Sequence, residues 1–553
     1  MRMLQQNQCG EWTFISQSTC DDPFNQVELT VCFTNTATGK ETRVPAFWAG
    51  GREWRVRFAT HDVGTYRFRT DCSGAADGGL HGQEGDVKVV PYKGHNPLFR
   101  HGPVKVAADR RHFAHADGTP FFWLGDTWWM GLCRRLEWPR GFRALALDRV
   151  KKGFTVVQIV AGLYPDMPAF DLRGANEAGF PWTDDYGRIN PAYFDAADCR
   201  IRHLVRVGIM PCIVGCWGYF LPWLGVEKMK QHWCYLIARY GALPVTWCLA
   251  GEGTMAYYLS KDREGDARLQ KKGWTELAEY VKAMDPFARP VTIHPSSSAR
   301  QCVEDPALLD YDMLQTGHSD RASLPNTVKQ VRISHRAEPR MPVVEGEVCY
   351  EGIGACCGPE LQRWLFWACM LNGAAGFTYA ANGIWQVNTR RQPYGPSPHG
   401  MTWGNTPWED ACRLPGSTYV GAGKGILERL PWWRLEPHPE WTDPNWQDRL
   451  NDAPFTCGKH DVPLAAGIPG KLHVIYCPMG AGLRLVKGLE PGVKHRLTLI
   501  DPLTGAESAG GEVLPDADGN WIPVFPGTPA WFPRPIYQDW LLVLSAAYEQ
   551  EKE

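Results

Sequence analysis

The amino-acid sequence predicts an α/β protein: a (β/α)8 TIM barrel flanked by N-terminal and C-terminal antiparallel β-sandwich domains. Three observations carry this. Apolar strands and amphipathic helices take turns along the middle of the chain. Both ends alternate apolar and polar residues with a period of two. The 553 residues are also too many for a single core.

Residues 1–95 read as the first sandwich. "VELTVCF" sets Val27, Leu29 and Val31 against Glu28 and Thr30, and "EWRVRFA" sets Trp54, Val56 and Phe58 against Arg55 and Arg57. "TYRFRTD" repeats the pattern, Gly- and Asp-rich turns separate the runs, and no helical period appears.

The barrel is expected over 96–440, opened by the hairpin "HFAHADGTPFFWLGD" with its turn at Asp117-Gly118. The strands are "FFWLGDTWW" (121–129), "TVVQIVAGL" (155–163), "IMPCIVGCW" (209–217), "PVTWCLAGEG" (244–253), "RPVTIHP" (289–295), "DMLQTGHS" (312–319), "MPVVEGE" (341–347) and "AAGFTYAANG" (374–383). Helices such as "YFDAADCRIRHLVRVG" lie between them, with Phe194, Ala197, Ile201, Leu204 and Val205 on one face. Near-continuous apolar strands joined by helices mean a parallel sheet covered on both sides, and eight strand-then-helix units mean a closed barrel. An open doubly wound sheet would want a Gly-rich phosphate loop after the first strand, which is not there. Residues 441–553 read as the second sandwich, from "KLHVIYCP", "GLRLVKG", "HRLTLIDPLTG", "WIPVFP" and "DWLLVLS".

Composition narrows the function. A net charge of −2 points away from nucleic acid or an anionic membrane as partner. No run approaches the ~20 apolar residues of a membrane span, and Met1 to Phe14 lack the apolar core of a signal peptide. The 18 Cys show neither a disulfide framework nor paired metal-ligand spacing, so reduced thiols, no metal and a cytoplasmic location are expected. No cofactor is called for, and the sequence leaves open whether the chain forms a homo-oligomer.

In a barrel the C-terminal ends of the strands share one mouth. Here those ends carry Asp126, Trp128 and Trp129; Tyr164 and Asp166; Trp217 and Tyr219; Glu252; His294; His318; Glu345, Glu347, Tyr350 and Glu351; Asn382 and Trp385. Singly, Asp126 reads as a helix cap, the histidines as core residues, and Glu345 and Glu351 as loop or salt-bridge partners. Jointly they read as a pocket. Two carboxylates with aromatic walls are the equipment of glycoside hydrolysis, one group protonating the departing oxygen while the other attacks the anomeric carbon or directs water to it. Asp126, Trp128, Trp129, Tyr164, Trp217, His294, His318, Glu345, Tyr350 and Trp385 are the expected sugar-binding set. Long loops after strands two and eight suggest a closed pocket that removes one terminal sugar from an oligosaccharide or small glycoside. A carbohydrate-binding protein without activity, and a metal-dependent hydrolase or lyase using His294 and His318, are the alternatives.

"FFWLGDTWW", "WCLAGEG", "PVVEGEVCYEG" and "GAAGFTYAANGIW" resemble the apiosidase-like glycoside hydrolases of the retaining (β/α)8 clan, over roughly 96–440. The two sandwiches resemble the accessory domains found beside such barrels. The resemblance implies a general acid/base at Glu252, after strand four, and a nucleophile at Glu347, the Glu of a "GE" pair on strand seven. If the strand stays regular through Gly346, Glu345 shares a face with Glu347, with Glu347 nearer the mouth.

Overall fold

The computed structural model describes residues 2–74, 76–445, 462–479, 482–523 and 538–547. Its centre is a parallel eight-stranded sheet: β1 Trp123–Thr127, β2 Val156–Val160, β3 Met210–Val214, β4 Thr246–Cys248, β5 Val291–Thr292, β6 Asp312–Gln315, β7 Val343–Glu347 and β8 Gly376–Tyr379. Their spatial order is 5-4-3-2-1-8-7-6. The barrel is nearly closed, with its seam between β5 and β6. With only two residues, β5 is too short to build a second ladder, and Thr292 spans the gap by donating to the Tyr311 carbonyl at 2.8 Å. All five residues of β2 are buried, as expected for a strand covered on both faces.

The helices are α1 Arg140–Lys151, α2 Pro191–Arg206, α3 Val226–Tyr240, α4 Arg263–Met284, α5 Ser323–Arg336, α6 Pro359–Met370 and α7 Gly416–Leu427. Helix α2 starts with Pro at its first turn and buries the predicted stripe Phe194, Ala197, Ile201, Leu204 and Val205. The expected eight helices are corrected at the fifth unit. Two 3-10 turns, Ala299–Cys302 and Pro306–Leu308, stand where a helix was expected. The physical reason is local: "PSSS" and Pro306 offer competing side-chain hydrogen bonds and a missing N–H.

At the N-terminus, a five-stranded and a three-stranded sheet enclose a core in which Phe33 and Phe58 stack at 4.1 Å. Alternation holds along Leu29–Asn35 but fails at Arg57, expected outside and only 1% exposed. That face of the strand Glu53–Phe58 packs against α3 rather than water. Arg57 pairs with Asp198 of α2, lies 2.7 Å from Glu11 and donates to the Arg239 carbonyl of α3.

At the C-terminus, a six-stranded antiparallel sheet and a two-stranded ribbon follow the barrel. One face of the larger sheet, with Val474, Tyr476, Leu541 and Val543, joins the barrel core. The other, with Ile475, Leu542 and Leu544, packs with Trp441 and Val486 near the ribbon. Buried Arg363 of α6 ties the sheet to the barrel through Asp539 at 2.6 Å. The expected strand "WIPVFP" lies outside the described residues beyond Pro523.

Among the described residues no helix is long and apolar enough to cross a membrane. One disulfide, Cys349–Cys357, stands in the loop after β7, where the sequence showed no disulfide framework. Fourteen other described cysteines are free, Cys477 is buried in the C-terminal sheet, and Cys457 lies outside the described residues.

Candidate active site

The strand ends surround a pocket of about 230 Å³. Glu252 and Glu347 reach it from β4 and β7. A bulge in β7 sets up their meeting: the pairing with β6 steps from Leu314–Glu345 to Gln315–Glu347, so Gly346 is passed over. A Cβ at Gly346 would stand 2.4 Å from Met313 Cγ, so only glycine fits this bulge without displacing Met313. The step brings Gln315 beside Glu347. Its amide nitrogen lies 3.2 Å from Glu347 Oε1 and 3.4 Å from Glu252 Oε1, joining the two carboxylates.

Glu252 stands just beyond β4 with φ +43°, a left-handed conformation costly for a side chain with a Cβ. Its other oxygen accepts from Trp217 Nε1 at 3.3 Å. Glu347 meets His318 Nε2 at 2.8 Å through Oε1. His294 Nε2 lies 3.2 Å from Oε2, in contact but off line for a hydrogen bond. The Glu252 backbone N–H points at His294 Nδ1 at 3.5 Å, which favours the tautomer with its proton on Nε2, toward Glu347.

The two glutamates hold protons very differently. Burial, reinforced by the Glu347 charge, pushes Glu252 up to about 7. Burial would also raise Glu347, but the two histidines overcome it and hold that carboxyl down at about 2. His318 moves up: burial works against its charge, and the Glu347 contact outweighs burial. Below about pH 7 the pocket therefore holds one ionised and one mostly protonated glutamate.

Of the sequence-predicted set, Trp129, Trp217, His318, Tyr350 and Trp385 line the same pocket as the two glutamates. Trp129 Nε1 donates to Tyr350 Oη at 3.1 Å. His294 sits behind the lining, against the edges of Trp129 and Glu347. Four others of the expected set lie outside this lining. Asp126 turns outward from β1 and is fully buried against Arg149 of α1 at 2.6 Å, also accepting from Trp128 Nε1. Trp128 packs on Phe142. Tyr164 spends its hydroxyl on Tyr193 at 2.8 Å. Glu345 is fully buried outside the pocket lining, and desolvation holds its carboxyl well above the usual range, hence neutral.

Asp126→Asn should therefore act on stability and leave sugar binding alone. Arg149 keeps its pair with Asp148, so losing the Asp126 charge should cost less than the about 3–5 kcal/mol of a fully stripped buried arginine. Chemical denaturation should show that loss with KM near wild type. Unchanged stability with a raised KM would return Asp126 to the sugar site.

Sequence reasoning missed Gln315, Tyr258, His399 and Trp403, and named Asp166 without assigning it a role; all five line the pocket. Asp166 has φ +64°, is 3% exposed and accepts from Trp403 Nε1 at 2.7 Å through Oδ2, leaving Oδ1 without a hydrogen-bond partner among the described residues. The available signals were weak: Gln315 is the last residue of a strand, and Asp166 follows Pro165 at the start of a long loop. No group of three or more His, Cys, Asp and Glu side chains among the described residues is arranged to hold a metal.

The family described as "Apiosidase-like, catalytic domain" matches residues 107–434, and a domain family of unknown function, DUF5060, matches residues 3–73. Among solved structures, the chain is similar to a putative glycoside hydrolase from Bacteroides vulgatus ATCC 8482 at 18% identity, covering 99% of this chain and all of that one, with TM-score 0.69. It is also similar to a glycoside hydrolase family 5 structure from the same strain at 20% identity, covering 82% of this chain and 95% of that one, with TM-score 0.64. No curated protein matches the chain.

Proposed function

The chain belongs to the apiosidase-like family and is a glycoside hydrolase, and from that premise we propose that it removes single terminal, uncharged sugars with retention of configuration. Glu347 is the nucleophile and Glu252 the acid/base. One observation carries this reading: two glutamates bridged by Gln315 in one pocket, their proton affinities pushed apart, Glu252 up to about 7 and Glu347 down to about 2.

If the two N–H bonds of the Gln315 amide diverge at about 120° and each serves one glutamate, the facing carboxylate oxygens stand about 5.7 Å apart. That favours the ~5–5.5 Å of direct attack over the wider ~6.5–9.5 Å that leaves room for a water. Glu347, ionised and steered by His318, attacks the anomeric carbon while Glu252 gives its proton to the departing oxygen. Once Glu347 is esterified its charge is gone, so the repulsion that raised Glu252 disappears. Glu252 then becomes the carboxylate that takes a proton from the incoming water.

The pocket volume suits a single sugar ring, which supports exo action. Its lining includes Asp166, Glu252 and Glu347 but neither Arg nor Lys among the described residues, which favours an uncharged ring over a uronate. Asp166 Oδ1 and Trp385 Nε1 are buried without partners in the chain, an acceptor and a donor for ring hydroxyls. Fourteen free cysteines beside one disulfide among the described residues favour a reducing compartment, the cytoplasm, and small imported glycosides as substrates.

The test is a panel of aryl glycosides with product stereochemistry followed by NMR. Neutral glycosides should be cleaved with the starting anomer released first, unaffected by chelator, and the matching uronides should be left intact. Inverted product, chelator-sensitive turnover, or early release of long oligosaccharides from a polymer would each overturn a named part of the reading.

A further inference from the structure

A larger cavity, of about 690 Å³, lies at the opposite end of the barrel, among the segments leading into β7 and β8, the end of α5, the chain after α7 and the turn at Ile468–Pro469 of the C-terminal sheet. Five arginines line it: Arg111, Arg332, Arg336, Arg340 and Arg434. None of the five forms an ion pair with an Asp or Glu among the described residues, whereas elsewhere buried arginines such as Arg57, Arg149 and Arg363 do. Arg332 is the telling one. It is only 5% exposed, and its Nη1 has no hydrogen-bond partner in the chain. A guanidinium cannot shed its charge, and with Glu440 acting on Arg332 only at a distance and no ion pair among the described residues, its burial favours an added anion.

The surroundings fit. Burial, then Arg111, Arg336 and Arg340, press the His335 imidazole down to about 4, so the cavity wall carries a concentrated positive field. Of the two acids in the lining, Asp109 is engaged by His112 at 3.0 Å, and Glu436 is exposed. Arg336, Arg340 and Arg434 stand exposed at the rim, and Trp433 is 37% exposed beside them, a flat apolar face for the body of a ligand.

We propose that this cavity binds a small molecule bearing a phosphate or sulfate monoester, its oxyanion seated on Arg332 and surrounded by the other four arginines. Guanidinium forks match tetrahedral oxyanions through paired N–H bonds. The enclosed shape takes a small molecule rather than a nucleic-acid strand, and five cations exceed what a lone carboxylate would balance. The site is separate from the glutamate pocket and does not rest on the glycosidase reading.

Calorimetric titration of the full chain with phenyl phosphate, phenyl sulfate and benzoate, at matched chloride, tests it. One molecule of phenyl phosphate or phenyl sulfate per chain should bind, with benzoate at least tenfold weaker. Arg332→Met should weaken ester binding at least tenfold without lowering the melting temperature, since it removes an unpaired buried charge. Arg434→Ala, an exposed change that spares the fold, should weaken it severalfold. Absence of saturable binding, equal affinity for all three anions, or ester binding unchanged in both variants overturns the proposal. So does an Arg332→Met protein that melts earlier yet binds the esters normally.

Discussion

Glu347→Gln should lower kcat by roughly four orders of magnitude or more, on the scale seen when an enzyme loses its nucleophile. The amide keeps the shape of the side chain and room for Gln315 and His318, so the fold should survive and the loss should fall on the bond-making step. Glu347→Ala opens space for a small anion. Added azide should restore turnover there and give a glycosyl azide of the opposite anomer, because azide attacks from the face Glu347 occupied. The control is Glu345→Gln. Glu345 is already held neutral by burial, so replacing it with an equally neutral amide should change kcat far less. An inactive Glu345→Gln beside an active Glu347→Gln would exchange the two assignments.

Glu252→Gln should separate substrates by leaving group. Proton donation contributes about 10²–10⁴-fold where the departing alcohol is a poor leaving group. Alkyl glycosides should lose about that much, whereas dinitrophenyl glycosides, whose phenolate leaves unaided, should show a far smaller effect on glycosylation. The pH profile follows from the signs. Glu252 must carry its proton, so activity falls as pH rises through about 7, and Glu347 must lack one, so activity falls as pH drops toward about 2. These limbs belong to the coupled pair. In Glu252→Gln the alkaline limb should vanish. Equal losses on both substrate classes, or a surviving alkaline limb, would count against the acid role.

The barrel was legible because each strand is an apolar run that no solvent-facing strand could carry. "TVVQIVAGL" has nowhere to sit except between two covered faces, and β2 lies there. The missing fifth helix was half-written in "PSSS" and Pro306, but strict eightfold counting hid it. The site was legible as a set of strand ends and illegible as directions. Asp126 and Glu347 both stand at strand termini, yet one leaves the barrel wall outward toward Arg149 and the other inward. Residue type does not encode that choice, because a buried salt bridge and a sugar contact want the same carboxylate. Gln315 was missed for a related reason: it reaches both glutamates only through the bulge at Gly346, a register detail that no periodicity reports. Arg57 was misplaced because two-residue alternation distinguishes the faces of a strand without saying whether the outer face meets water or another layer.

That last residue bears on how such a protein is inherited. Arg57 belongs to the N-terminal sandwich, but its charge is balanced by Asp198 of the barrel, which Arg239 shares at 3.0 Å. The Arg239 guanidinium in turn lies 4.8 Å over the ring of Phe47, again from the sandwich, and Tyr235 of the barrel donates to the Trp48 carbonyl at 3.0 Å. A recombination break near residue 95 would cut through the electrostatic accounts of both halves. A barrel acquired without its sandwich would carry an aspartate and an arginine tuned to a missing third charge, and a foreign sandwich would meet them with the wrong face. The two modules therefore share one charge cluster, which separation would reduce to the Asp198–Arg239 pair within the barrel.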